Sequence, residues 1–278
     1  MRRAAKMERA SNFAGGQFAM LKAKWIKRLV AAAGLFLFAM GSVSVAQTQS
    51  PQLSPSDTVR SFYRMMREKK FREAFALSIY RPAIDPLTPA EFDDLRPDFE
   101  KMAAAIPEQV NISGEQISGE IATVFVKVKD DENKDQADKI TLIMSGGFWI
   151  VGEKENEKIV KDAGKRFFFD ARINVHHHEV QTMLTRISLA QLLYSQQHAG
   201  KFADMPTLIL GGLVPKDIEG TDSTGYRFRV TASADGKSWN AAAEPAQYGR
   251  TGKLSFYMDA SGVRSGDVGG KPLPTPRN

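Results

Sequence analysis

The apolar positions change period along the chain, and each change marks a change of element. From residue 54 onward they recur at helical spacing: Val59, Phe62, Tyr63 and Met66, then Phe71, Ala74, Phe75 and Ile79, then Phe92, Leu95, Phe99, Met102 and Ile106. Three helices, each burying one stripe, follow from that spacing. Two of the starts share one grammar, Ser54-Pro55-Ser56-Asp57 and Thr88-Pro89-Ala90-Glu91. The hydroxyl accepts from an orphan backbone N–H, proline occupies the first helical position, and the acid complements the helix dipole. After Pro107 the period falls to two. Val124, Val126 and Val128 alternate with Phe125, Lys127 and Lys129, further strands are expected over 140–144 and 148–151, and weaker ones over 110–113 and 115–118. Ser145-Gly146-Gly147 and the acidic stretch 130–138 read as the turns that join them into hairpins.

The helical period returns from Asn174 to about His198, with Val180, Met183, Leu184, Ile187, Ala190 and Tyr194 on one face. Leu189, Leu192 and Leu193 widen that face and predict extensive burial. Gly200 ends this helix, and a short one near 206–210 stops at Gly211-Gly212. Strands are then expected over 226–231, 239–243 and 254–258, with Asp235-Gly236 as a type I′ hairpin turn and 259–262 turning into Val263. The fold class is α+β twice over: helices on a curved antiparallel sheet, then a long helix on a small antiparallel sheet. The expected organisation is a leader over 1–46, a polar tether over 47–55, a first domain over 56–153 and a second over 173–266. Between them, 154–172 reads as a connecting helix or linker. Its Phe167, Phe168 and Phe169 cannot all face one way on a helix, so some should touch a neighbouring domain. A Gly- and Pro-rich tail, expected to be mobile, occupies 267–278.

Charge sharpens the reading of the leader. The 278 residues carry a formal net charge of +6, which often hints at nucleic acid or anionic lipid. Residues 1–28 hold eight Lys or Arg and one acid, and 29–46 hold neither. The remainder has 30 basic against 31 acidic residues, so the hint vanishes and no nucleic-acid partner is expected. Lys27-Arg28, the apolar run over 29–40, and Ser44 and Ala46 at the −3 and −1 positions have the pattern of a secretory signal peptide cleaved before Gln47. Export to the periplasm, cell envelope or extracellular space follows from it. An uncleaved leader acting as an anchor is the other reading, and the only membrane association expected. Met20 would begin a charged region of ordinary length, so translation from Met20 is a further expectation. A lipoprotein is excluded because the chain has no Cys to carry the lipid.

Few residues in the sequence point to chemistry. Without Cys there is no disulfide, thiolate nucleophile, Cys-ligated zinc or iron–sulfur site. His176-His177-His178-Glu179 lacks the second His four residues on that a helical zinc site needs, because Thr182 stands there; it reads as a solvated helix start. Asp131-Glu132-Asn133-Lys134-Asp135 opens like a calcium loop, but Gln136 and Leu142 occupy the positions of the required Gly and Glu. Gly236-Lys237-Ser238 sits in a hairpin and lacks the earlier Gly of a phosphate loop, which would fall at Thr231. Neither metal nor cofactor is expected, and no catalytic residue is assigned.

Two resemblances add to this. Val59, Phe62 and Tyr63 lead into Lys70-Phe71-Arg72-Glu73-Ala74-Phe75-Ala76-Leu77, and later come Ala122-Thr123-Val124-Phe125-Val126 and Gly147-Phe148-Trp149-Ile150. Residues 55–153 thereby resemble the NTF2-like (cystatin-like cone) superfamily, especially its small exported members related to lumazine-binding and DUF4878-type domains. That resemblance implies a conical pocket under the helices, for which Tyr63, Phe92, Phe125 and Trp149 are the candidate lining residues. Residues 173–266 resemble the globular headgroup of type IV pilin-like (pseudopilin-like) proteins. The match runs through Ile187-Ser188-Leu189-Ala190-Gln191, Tyr194, Gly200-Lys201-Phe202-Ala203, Gly225-Tyr226-Arg227-Phe228, Ala243-Glu244-Pro245 and Phe256 to Arg264. Ala39 stands where that family's processed start carries Glu, so only the headgroup resembles. Together these imply an exported, non-enzymatic binding or assembly module of the envelope. Two alternatives stand beside it: a carrier of a small apolar ligand, or an isomerase- or dehydratase-type enzyme, built on the cone; and an accessory factor binding pilus or secretion proteins.

Overall fold

The computed structural model describes residues 53–106, 110–129, 135–221 and 224–274. The expected leader, residues 47–52 of the tether, residues 130–134 of the acidic turn and the last four residues of the tail lie outside the described residues. The described chain divides into two compact units between Lys165 and Arg166. Each is α+β and each carries a four-stranded antiparallel sheet.

In the first unit, α1 (Pro55–Arg67) and α4 (Pro89–Ala104) begin where their caps direct. The Ser54 hydroxyl accepts from Asp57 N, and Thr88 and Glu91 form a reciprocal capping box. The second apolar stripe does not stay one helix. It is helical only over α2 (Phe71–Ala76), and a further short helix, α3 (Arg81–Ile84), follows it, giving four helices before the sheet instead of three. The reason lies in a distant strand: Ile79 N donates to Val151 O and Val151 N to Leu77 O, so the backbone over 77–79 leaves helical geometry to pair with the sheet edge. Phe71, Phe75, Phe92 and Phe99 pack together, with ring centroids 5.0 to 5.7 Å apart. Each buried Phe contributes roughly 1.5–3 kcal/mol.

The sheet is a meander of β1 (Asn111–Ser118), β2 (Ile121–Lys129), β3 (Asp135–Ser145) and β4 (Phe148–Val151). β1 is one strand instead of the two short ones expected, interrupted by a register shift between Ile112 and Gly114. That single extra residue flips the alternation, so Ile112 and Glu115 both lie on the face that carries Val126 and Val124. Glu115 then accepts from Ser56 N at 2.8 Å, tying β1 to the start of α1. Gly146 and Gly147, with φ of 59° and 83°, make the β3–β4 turn, which two consecutive left-handed residues require. After β4, α5 (Lys154–Ala163) ends at Gly164 in a left-handed φ of 51°.

In the second unit, α6 (Phe167–Gln197) starts seven residues before the expected Asn174 and absorbs the three Phe into its first turn. Gly164 is the last helix breaker before it, and the Arg166–Asp170 pair at 2.7 Å sits one turn apart across the start. Val180, Leu184, Ile187 and Ala190 share a core with β5 (Tyr226–Ala232), β6 (Trp239–Pro245) and β7 (Leu254–Asp259), and the exposed β8 (Gly262–Asp267) completes the sheet in that order. Leu189, Leu192 and Leu193 are not buried as expected; they are 58%, 52% and 48% exposed on the far side of the same helix. Fully buried Gln191 instead occupies the core position, its amide donating to Ala203 O and accepting from Ala203 N, which pins the loop that precedes α7 (Met205–Leu210). The β5–β6 connection is not the expected type I′ turn. Gly236 N donates to Ser233 O, and Gly236, but not Asp235, has positive φ. Beyond β8 the chain turns back, with the Ser255 hydroxyl donating to Lys271 O at 2.7 Å and Arg264 to Pro274 O.

Candidate functional site

The first unit contains a cleft of about 410 Å³ beside β4. One wall is the segment that left the helical path to pair with Val151, which brings Leu77, Ser78 and Ile79 alongside the sheet edge. β4 supplies Phe148, Trp149 and Ile150, and α5 supplies Glu157 and Lys161. Gly152 makes this junction: a Cβ there would come within 2.6 Å of the Ile79 side chain, so any larger residue would push α5 away from that wall.

The walls are mostly apolar, and the charged groups are few: Arg81, Glu157 and Lys161. The Glu157 side chain is 8% exposed. Lys161 Nζ lies 2.7 Å from its Oε1, Lys154 Nζ 3.5 Å from its Oε2, and the Ser145 hydroxyl donates to Oε1 at 3.4 Å. The Lys161 hydrogen bond, against an opposing effect of burial, holds the carboxyl below its ordinary range. It is therefore ionised at neutral pH and a poor proton acceptor. Ser78 is turned inward, its hydroxyl donating to Phe75 O and accepting from Tyr80 N. Arg81 pairs through Nε with Asp85 at 3.0 Å, and its side chain is 64% exposed.

Of the four residues expected to line a cone, Trp149 lines this cleft. Tyr63 packs on the same apolar cluster as Trp149, Val59, Val124 and Leu142, and its phenol is pushed up to about 12 by burial and by the charge of Asp138. Phe92 and Phe125 are elsewhere. Phe92 belongs to the helical Phe cluster, with the Arg72 guanidinium 4.2 Å from its ring centroid. Phe125 alternates with buried Val124 and Val126, so it projects from the opposite face of the sheet, near Lys139. The four do not enclose one chamber. The residues that line the cleft beside Trp149 were not legible as a group, because 77–79, 145–150 and 157–161 converge only after the parallel bridge to Val151 forms.

The triple His is not a solvated helix start. It lies in the third turn of α6, against the loop before β7. His176 Nδ1 is 2.8 Å from Thr251 O. His177 Nε2 accepts from both Lys253 N and Leu254 N, at 3.2 and 3.3 Å, and its ring meets Tyr226 and Phe256 edge-on. Burial, then the charges of His176 and Lys253, lower its pKa to about 4, so the ring is neutral at pH 7 and its free lone pair is engaged. Among the described residues no group of three or more His, Asp or Glu is placed to hold a metal ion, and no helix is long and apolar enough to cross a membrane. Compared with known families and curated proteins, the chain matches no family model and no curated sequence.

Proposed function

We propose that this chain is an exported, non-enzymatic binding module of the cell envelope, and that its first unit holds a small, mostly apolar ligand in the cleft beside β4. Export rests on the signal-like residues 27–46. The NTF2-like reading of 56–153 is supported by the order of helices before an antiparallel meander, and the pilin-headgroup reading of 173–266 by a long helix on a four-stranded sheet. The cleft itself carries the binding proposal: about 410 Å³ falls within the roughly 300–1,000 Å³ of small-molecule sites. Glu157 argues for holding over chemistry, since a carboxylate kept ionised by Lys161 is poorly matched to proton abstraction at neutral pH.

The test uses the neutral fluorophore N-phenyl-1-naphthylamine on the full chain. Saturable one-site emission is expected, lost in Leu77→Trp, which fills the cleft. Emission unchanged by Leu77→Trp would refute the proposal. A second reading, assembly with other envelope proteins, is favoured by the exposed Leu189, Leu192 and Leu193 row on α6. Recovery of a defined pilus or secretion component with the native chain, and its loss on Leu192→Ser, would support it.

A further inference from the structure

The cleft has a polarity as well as a volume. Its charged lining consists of two cations, Arg81 and Lys161, and one carboxylate, Glu157. Glu157 is already matched by Lys161 and by Lys154, while Asp85 matches Arg81. Among the lining residues themselves, two cations against one carboxylate leave one net positive charge. The donors are free to use it. The terminal nitrogens of Arg81 have no partner among the described residues, and Lys161 spends one of its three N–H bonds on Glu157. The apolar lining is Leu77, Ile79, Phe148, Trp149 and Ile150.

Resting on the reading of this cleft as a binding site, we infer that its ligand is an amphipathic monoanion: a medium-length apolar body ending in a carboxylate or a group of like charge. At the roughly 30 Å³ that a water-sized atom occupies in a liquid, the cleft accommodates on the order of fourteen non-hydrogen atoms. Decanoate has that size. The head group takes the Arg81 fork and the spare Lys161 donors, and the tail lies along β4 against Trp149. A cationic amphiphile would need Glu157, whose two oxygens are already taken up by lysines, and it would face the surplus positive charge.

The experiment is displacement of N-phenyl-1-naphthylamine from the full chain by decanoate, decanol and decylamine, which share a tail and differ in head charge. A charge-assisted hydrogen bond exceeds a neutral one by an amount that converts to roughly tenfold in affinity. Decanoate is therefore expected to displace the probe at roughly one-tenth of the decanol concentration. Arg81→Gln, at an exposed position, should remove most of that preference, read as the ratio of decanol to decanoate displacement within the variant. Equal potency of decanoate and decanol, or decylamine as the best competitor, would overturn the anion assignment while leaving the cleft as a binding site. Failure of the wild-type chain to bind the probe would overturn the underlying reading instead.

Discussion

Protonating His177 should loosen the second unit over a pH range where its acidic pairs are still intact. In the folded chain the ring is held neutral, with its pKa lowered to about 4, because Nε2 accepts from Lys253 N and Leu254 N and the ring is packed against Tyr226 and Phe256. In the unfolded chain it titrates near its ordinary value of 6.5. Above 6.5 neither state binds the proton and the stabilisation is complete. Between 6.5 and 4 only the unfolded chain takes it up, so stability falls with falling pH; below 4 both states are protonated and this contribution is gone. At about 1.4 kcal/mol per unit, the gap corresponds to about 3 kcal/mol at face value. The ring is only half-buried, and solvent screening reduces this to roughly 1–2 kcal/mol. The assay is urea unfolding followed through Trp239, in a Trp25→Phe, Trp149→Phe background, at pH values from 7.5 to 4.5. His177→Gln keeps an acceptor but cannot titrate, so its stability should stay nearly flat over that window. His176→Gln is introduced into both proteins because its charge acts on His177, while His178 and His198 are common to the two. Parallel loss of stability in the two proteins would refute the reasoning.

Other substitutions test the backbone and the core. Ala199 sits at φ 53° just past α6, a conformation that costs an L-residue roughly 1–2 kcal/mol, so Ala199→Gly should stabilise the second unit by about 0.5–1 kcal/mol, seen as a higher urea midpoint. Pro97 lies inside α4 and is exposed; Pro97→Ala restores a helical N–H and should stabilise the first unit by about 1–2 kcal/mol, seen as a higher Tm. Gly252 lets the Tyr226 hydroxyl reach Leu254 O, and a Cβ there would collide with that hydroxyl. Gly252→Ala should therefore cost roughly 2–3 kcal/mol, and adding Tyr226→Phe should recover part of it; strictly additive losses in a double-mutant cycle would count against the collision.

The parts of the fold legible in the sequence are those governed by neighbours within a few residues. Ser54 and Thr88 cap their helices because a hydroxyl and an N–H three residues apart need nothing else, and Gly146-Gly147 turns because only glycine takes two left-handed angles freely. Alternation located β2 and its register-mates, yet it could not say which of the two faces would be covered. Phe125 was therefore expected in a pocket, and it lies on the face away from the apolar cluster. The row of leucines at 189, 192 and 193 met the same difficulty, since helical spacing shows that residues share a face but not that anything packs there.

What the amino-acid order determined by itself is the succession of elements, their caps and turns, two α+β regions, and a separate charge-then-apolar leader pattern. Only the tertiary structure decided where α2 ends, which wall faces β4, and what the histidines do. The reason is the range of the forces involved. A cap or a two-residue turn is complete within one local segment. The Ile79 N–H bonds to a carbonyl at Val151, and His177 finds its two donors at Lys253 and Leu254, 76 and 77 residues further along, so these groups acquire their partners only once the intervening chain has folded.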